Sequence, residues 1–125
     1  MVRESDVQLE RWSEDVRGHV GFRTLFGDGE ATTGSLTVGV TEMQQGDWLG
    51  LHRHSPAEVY YVLEGEGLVT LAGEERRVDA GTAVFIPGDA EHGIRNTGAG
   101  VLRFLYAFAV SSFDDVEYRW SVLAR

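Results

Sequence analysis

A chain of 125 residues with 42% hydrophobic and 25% charged residues is long enough for one domain with its own core, and its formal charge of −9 argues against nucleic-acid phosphates or anionic membranes as partners. All eleven basic residues are arginine and cysteine is absent, which excludes lysine Schiff bases, thiol nucleophiles, disulfides and cysteine-held metal clusters. The charged opening MVRESDVQLERW has no apolar core for a secretory signal, and no stretch is long enough to cross a bilayer, so a cytoplasmic protein is expected.

Residues 1–18 mix charge with Val7, Leu9, Trp12 and Val16, a spacing that predicts a short amphipathic helix or an irregular arm anchored by Trp12. Residues 19–26 read as a strand closed by the turn formers Gly27, Asp28 and Gly29. Together these form an N-terminal segment, 1–30, packed on a barrel of residues 31–125 within one domain. Residues 33–43 alternate as a further strand, with Leu36, Val38 and Val40 on one face, and residues 44–47 turn the chain. Residues 58–63 are β-branched and aromatic, and 64–67 form a glycine-bounded turn. Residues 68–71 and 76–78 flank a turn as a hairpin, with Arg76 and Arg77 at its exposed edge. Short strands follow at 83–86 and 92–96. Residues 101–110 give the longest strand, which places Leu102, Phe104, Tyr106 and Phe108 on one face and Arg103 and Leu105 on the other. The tail from 111 to 125 predicts a last strand or arm. Many short strands with glycine turns define an all-β barrel or sandwich.

The chemistry concentrates in GDWLGLHRHSPAEVYYVLEG, residues 46–65, and GTAVFIPGDAEHGIRN, residues 81–96. His52 and His54 are two apart, so on a strand they point to one face and can share an ion. Pro56 interrupts the ladder and allows a turn, after which Glu58 can face back toward the imidazoles. His92 comes from a later strand. Three imidazoles and a carboxylate suit a divalent Fe, Mn, Ni, Co or Zn ion with coordination positions left open. His19 has no partner at ligand spacing and reads as an ordinary hydrogen-bonded residue. Tyr60 lies two beyond Glu58, so parity aims it at the ion and Tyr61 away from it. A phenol beside a divalent cation is favoured as phenolate and can act as a general base. Trp48 shares parity with His52 and His54, and with Phe104, Tyr106 and Trp120 it is a candidate aromatic contact for a substrate.

These two stretches resemble the paired motifs of the cupin superfamily, small antiparallel β-barrels of jelly-roll type with a metal inside. Gly46, His52, His54, Glu58 and Gly65 match the first motif, and Gly81, Pro87, His92 and Asn96 the second. One position departs, since Asp89 stands where a glycine is expected. HRHSPAEVY, GDAEHGIRN and SFDDVEY together resemble the small cupin-type dimethylsulfoniopropionate (DMSP) lyases. That resemblance implies metal ligation by His52, His54, Glu58 and His92, catalytic roles for Tyr60 and Tyr118, and a metal-assisted β-elimination on a small carboxylate substrate. It leaves three alternatives, an Fe(II)-dependent dioxygenase, a sugar or keto-acid isomerase, and a non-catalytic small-molecule-binding cupin. Aromatic arms at both termini make a homodimer the expected assembly.

Overall fold

Strands form where apolar and polar residues alternate, and they end at glycines that take left-handed backbone angles. A computed structural model describes residues 1–28 and 32–121. Position 29 of the predicted turn, the boundary near residue 30 and the last four residues of the tail lie outside them. Among the described residues the strands are β1 (Glu10–Glu14), β2 (Gly18–Phe26), β3 (Thr37–Met43), β4 (Trp48–Arg53), β5 (Glu58–Glu64), β6 (Glu66–Leu71), β7 (Glu74–Asp79), β8 (Ala83–Ile86), β9 (His92–Asn96), β10 (Leu102–Phe108) and β11 (Arg119–Trp120). Gly65 (φ 85°) joins β5 to β6, and Ala72 (φ 49°) with Gly73 (φ 84°) makes the β6–β7 hairpin turn. No helix of the described residues is long and apolar enough to cross a membrane.

All pairings are antiparallel, in the order β7-β6-β9-β4-β2-β3-β10-β5-β8, with β1 added beside β2 and β11 beside β4. The sheet curls, so β5 faces β9 across the interior although four strands separate them in the order; the Tyr60 and His92 rings stand 6.2 Å apart. This is the jelly-roll barrel expected from the sequence. Its core joins Leu102, Phe104, Tyr106 and Phe108 of β10 to Val62 of β5, Val69 of β6 and Ile94 of β9.

One local expectation is corrected. Residues 10–14 form strand β1, not a helix or irregular arm, because the free edge of β2 offers a ladder from Glu10↔Phe22 to Glu14↔Gly18. The only helical piece before it among the described residues is a 3₁₀ turn, Glu4–Asp6. On β3, Val38 and Val40 share a face as expected, and the alternate set Thr37, Gly39, Thr41 and Met43 is buried on the other. An added Cβ at Gly39 would lie 2.2 Å from the Tyr106 hydroxyl, so a large residue on β10 demands a small one opposite.

Asn96, at the end of β9, ties the β3–β4 and β9–β10 loops together. Its amide nitrogen donates to the carbonyls of Met43 (3.0 Å), Gln44 (3.1 Å) and Gly100 (2.8 Å), and its Oδ1 accepts from the Gly98 amide at 2.9 Å. Asn96→Ala strands these buried groups and is expected to cost about 2–4 kcal/mol, read as a lower midpoint of chemical denaturation.

Candidate metal centre

The site is built by an irregularity in β4. Trp48 pairs with Arg95 and Leu49 with Ile94, but the register then slips and His52 pairs with His92. One extra residue on β4 makes a β-bulge around Gly50 and Leu51 and reverses the side-chain alternation beyond it. Gly50 is required there, since an added Cβ would lie 2.1 Å from the Val16 carbonyl oxygen. The slip corrects one expectation. Parity counted from Trp48 to His52 assumes an unbroken ladder, whereas Leu49 faces the interior with His52 and Trp48 lies on the outer face, where its ring meets His19 at 5.8 Å. His19 itself is hydrogen-bonded to the Ser13 hydroxyl at 2.8 Å.

Each of the three imidazoles is oriented by the same device. His52 Nδ1 lies 2.7 Å from the Gly50 carbonyl oxygen, His54 Nδ1 2.8 Å from that of Pro56, and His92 Nδ1 2.9 Å from that of Ala90. A carbonyl only accepts, so each Nδ1 carries the proton and each Nε2 presents a lone pair. The ligating atoms lie within 4.8 Å of one another. Glu58 Oε1 stands 3.1 Å from His54 Nε2 and 3.3 Å from His92 Nε2. His92 Nε2 is buried in no hydrogen-bonding geometry with any partner among the described residues.

Bare lone pairs facing a carboxylate repel unless a positive charge lies between them. Without an ion, a proton shared between His54 and Glu58 is what relieves the repulsion. Burial is the largest single influence and opposes charge on both groups, yet their mutual hydrogen bond and attraction, joined by the Pro56 carbonyl at His54 and by His92 at Glu58, together outweigh it, raising the imidazole and lowering the carboxyl relative to their usual values. His52, buried and beside His92, is depressed to about 3 and stays neutral. Three bare nitrogens, one of them the orphaned buried Nε2 of His92, and a carboxylate fit a divalent metal ion, the donor set being the mixed N/O kind such ions take.

Beside the imidazoles lies a small cavity of about 40 Å³. Tyr60, Phe104, Tyr106 and Tyr118 of the expected site residues line it, with His52 and Glu58 at its base. Tyr118 sits against both His52 (ring centroids 5.6 Å) and His54 (5.4 Å). Trp120 stacks on Tyr118 at 5.7 Å and covers His52 at 4.8 Å. Burial pushes the Tyr60, Tyr106 and Tyr118 hydroxyls above the ordinary tyrosine range, and the Glu58 charge adds to this. Sequence reading missed Trp12, Phe22 and Phe113 as wall residues. Trp12 reads as a packing anchor until β1 is known to pair with β2, which sets its ring 5.2 Å from Phe22. No local pattern marks Phe113.

The departure at Asp89 has a structural counterpart. Asp89 has φ 63°, the left-handed region that explains the glycine of the motif and that aspartate tolerates better than most residues. Its carboxylate accepts from Arg119 at 2.6 Å, and Glu91 accepts from the Ser121 hydroxyl at 2.5 Å. The loop that delivers His92 thus grips the two residues flanking Trp120 and holds β11 over the site.

The fold and this centre define a class, and the chain belongs to it: the cupin domain family matches residues 39–108, and this protein is a cupin. Among its relatives is the dimethylsulfoniopropionate lyase DddW of Ruegeria pomeroyi, 42% identical over 119 residues, which span 95% of this chain and 78% of the relative. The oxalate-binding protein of Thermotoga maritima is 31% identical over 84% of this chain and 89% of its own. In structure, a predicted oxalate decarboxylase of Thermotoga maritima superposes with a TM-score of 0.78 at 30% identity, covering 88% of this chain and 98% of its own. The DMSP lyase DddQ of Ruegeria pomeroyi gives 0.75 at 22% identity over 92% of this chain and 61% of its own, a likeness of fold.

Two outcomes follow from the geometry. His54→Ala is expected to weaken binding of Co(II) or Zn(II) at least about tenfold in calorimetric titration, since it removes a ligand along with its tether. In the metal-free protein, His52 is held below its unfolded value of 6.5. The unfolded chain therefore takes up that proton first, and stability contributed by neutral His52 is present above pH 6.5 and is lost as pH falls toward about 3. His52→Asn should flatten that part of the stability profile measured by denaturant titration across the range.

Proposed function

We propose that this cupin is a metal-dependent carbon–sulfur lyase that cleaves DMSP, or a closely similar β-substituted carboxylate, to dimethyl sulfide and acrylate. The observation that carries the reading is the 42% identity to a DMSP lyase along 95% of the chain. The site offers the matching chemistry. DMSP has a carboxylate at one end and a sulfonium at the other, and the cavity has a ligand cluster at its base and aromatic walls.

His52, His54, His92 and Glu58 would hold the ion, of which Fe, Mn, Ni, Co and Zn are all compatible with the donor set. A divalent ion there supplies positive charge that binds the substrate carboxylate, acidifies the α-proton and favours a nearby phenolate. Tyr60, fully buried beside Glu58 on β5, is the general base in this reading. It takes the α-proton, the C–H electron pair becomes the carbon–carbon double bond, and the Cβ–S bond breaks with its electrons leaving on dimethyl sulfide. The proton remains on Tyr60, and no electron is exchanged with an outside acceptor. Tyr118, against His52 and His54, closes the other side and orients the substrate. The sulfonium faces Trp12, Phe22, Phe113 and Tyr118, whose rings attract a cation by about 0.5–2 kcal/mol each without offering it a nucleophile. Water exclusion by the same rings keeps the phenolate basic.

A second reading, simple binding of a small carboxylate at the metal, is favoured by the match to an oxalate-binding protein over 84% of the chain. Headspace detection of dimethyl sulfide from purified protein and DMSP, after loading with each candidate ion in turn, separates the two. Metal-dependent gas above the metal-free blank supports the lyase. Binding of DMSP or oxalate with no gas from any metal-loaded sample leaves a binding protein. Tyr60→Phe is expected to lower kcat about 10²–10⁴-fold with metal content unchanged. Turnover near that of the unaltered protein would remove Tyr60 as the base.

A further inference from the structure

Three threonines of β2 and β3 are buried, Thr24, Thr37 and Thr41, at 8%, 0% and 5% exposure. A buried hydroxyl needs a hydrogen bond to offset the water it has lost. Thr37 Oγ1 donates to the Val110 carbonyl at 2.9 Å, and Thr24 Oγ1 lies 3.3 Å from the Tyr106 hydroxyl. The Thr41 hydroxyl makes no hydrogen bond to any described residue. Nor is it sealed within protein, since the sealed orphan among the described residues is His92 Nε2, so its free side opens into the cavity that Thr41 lines. Like that nitrogen, the hydroxyl is arranged for something that occupies the cavity.

Register fixes where along the cavity it lies. Glu58 pairs with Phe108, and Tyr60 pairs with Tyr106, which pairs in turn with Gly39. Thr41 is two residues beyond Gly39 on β3, so its row lies about 7 Å past that of Tyr60, on the side away from Glu58. The rows therefore run from metal ligand to base to Thr41. A β-substituted carboxylate laid along them, with its acid group at the ligands and its α-carbon at Tyr60, points its leaving group toward Thr41. There the hydroxyl stands between Phe22 and Phe104, its register partners.

We propose that Thr41 is a specificity-determining residue whose hydroxyl oxygen faces the sulfonium and selects a positively charged leaving group over a neutral one, an inference that rests on the reading of the site as one for DMSP. A sulfonium spreads its charge onto the adjoining C–H groups, and a hydroxyl oxygen accepts these as C–H···O contacts. The hydroxyl hydrogen can then turn to the face of a neighbouring ring. A neutral group of the same shape offers the oxygen nothing and displaces any water paired with it, so the cost of an unpaired hydroxyl falls on that ligand alone. Selection comes as much from rejection as from attraction. Thr41 has no base among its register partners, so the hydroxyl keeps its proton and takes no methyl group from the sulfonium.

The test uses DMSP and 4-methylpentanoate, the same skeleton with a CH in place of S⁺. Each is titrated calorimetrically into Zn(II)-loaded protein carrying Tyr60→Phe, which holds DMSP without turning it over, with Thr41 intact or as Thr41→Val or Thr41→Ser. Valine keeps the side chain's shape and removes the oxygen. Thr41→Val is expected to weaken DMSP about three- to tenfold and to tighten 4-methylpentanoate at least about twofold, while Thr41→Ser keeps the original preference. Opposite signs for two ligands of one shape do not arise from damage to the fold, and equal zinc content in all three proteins checks this. A preference that moves less than about twofold, a loss shared by both ligands, or no binding of either overturns the proposal. Dimethyl sulfide release from the same Thr41 variants with Tyr60 restored separates the two readings. No gas from any metal-loaded protein, with the shift in preference present, removes the lyase and leaves the role of Thr41 standing. Gas with an unmoved preference does the reverse.

Discussion

Three hydrogen bonds from imidazole Nδ1–H groups to backbone carbonyls govern this site. Each carbonyl lies two residues along the chain from the histidine it serves. The bonds set the tautomer, stop ring rotation and aim three Nε2 lone pairs at one point. Glu58 then faces bare nitrogens, and the orphaned His92 Nε2 shows that the protein alone does not satisfy the arrangement. The cluster is arranged for an added positive charge, which is why burial of four polar side chains is tolerated in a barrel core.

The rest of the interior serves that cluster. The walls beside it are mostly aromatic, completed by Val20, Thr41 and Leu49, so the ionised groups of the site are confined to its base. A neutral, apolar wall raises the cost of every charge that is not compensated, which strengthens electrostatic selection within a small volume. It also lifts the tyrosine hydroxyls above their usual range, so their ionisation depends on what occupies the base.

The C-terminal segment shows how a short element is held in place. Strand β11 has two residues, too few to stand alone, and its ladder covers only Arg119↔Arg53 and Trp120↔His52. The Asp89 and Glu91 carboxylates add side-chain ties from the loop before His92. One ligand-bearing loop therefore sets both an imidazole and the aromatic cover above it. The strained backbone at Asp89 is tolerated because its carboxylate has a partner that glycine would lack.

Much of this was legible in the chain itself. Spacing alone joins His52 to His54, because a strand's period is two, and Pro56 forces the turn that lets Glu58 face back. The β10 core set is legible for the same reason. Parity failed where the ladder was interrupted. One extra residue near Gly50 turned Trp48 outward, and a bulge leaves no composition signal beyond a glycine. Trp12, Phe22 and Phe113 joined one wall only through pairings between distant segments, which no local pattern records. Residue order determined which side chains carry chemistry and the period on which they repeat. Tertiary structure decided which of two faces each strand turned inward and which distant rings met there, because those outcomes depend on register and closure across the whole sheet.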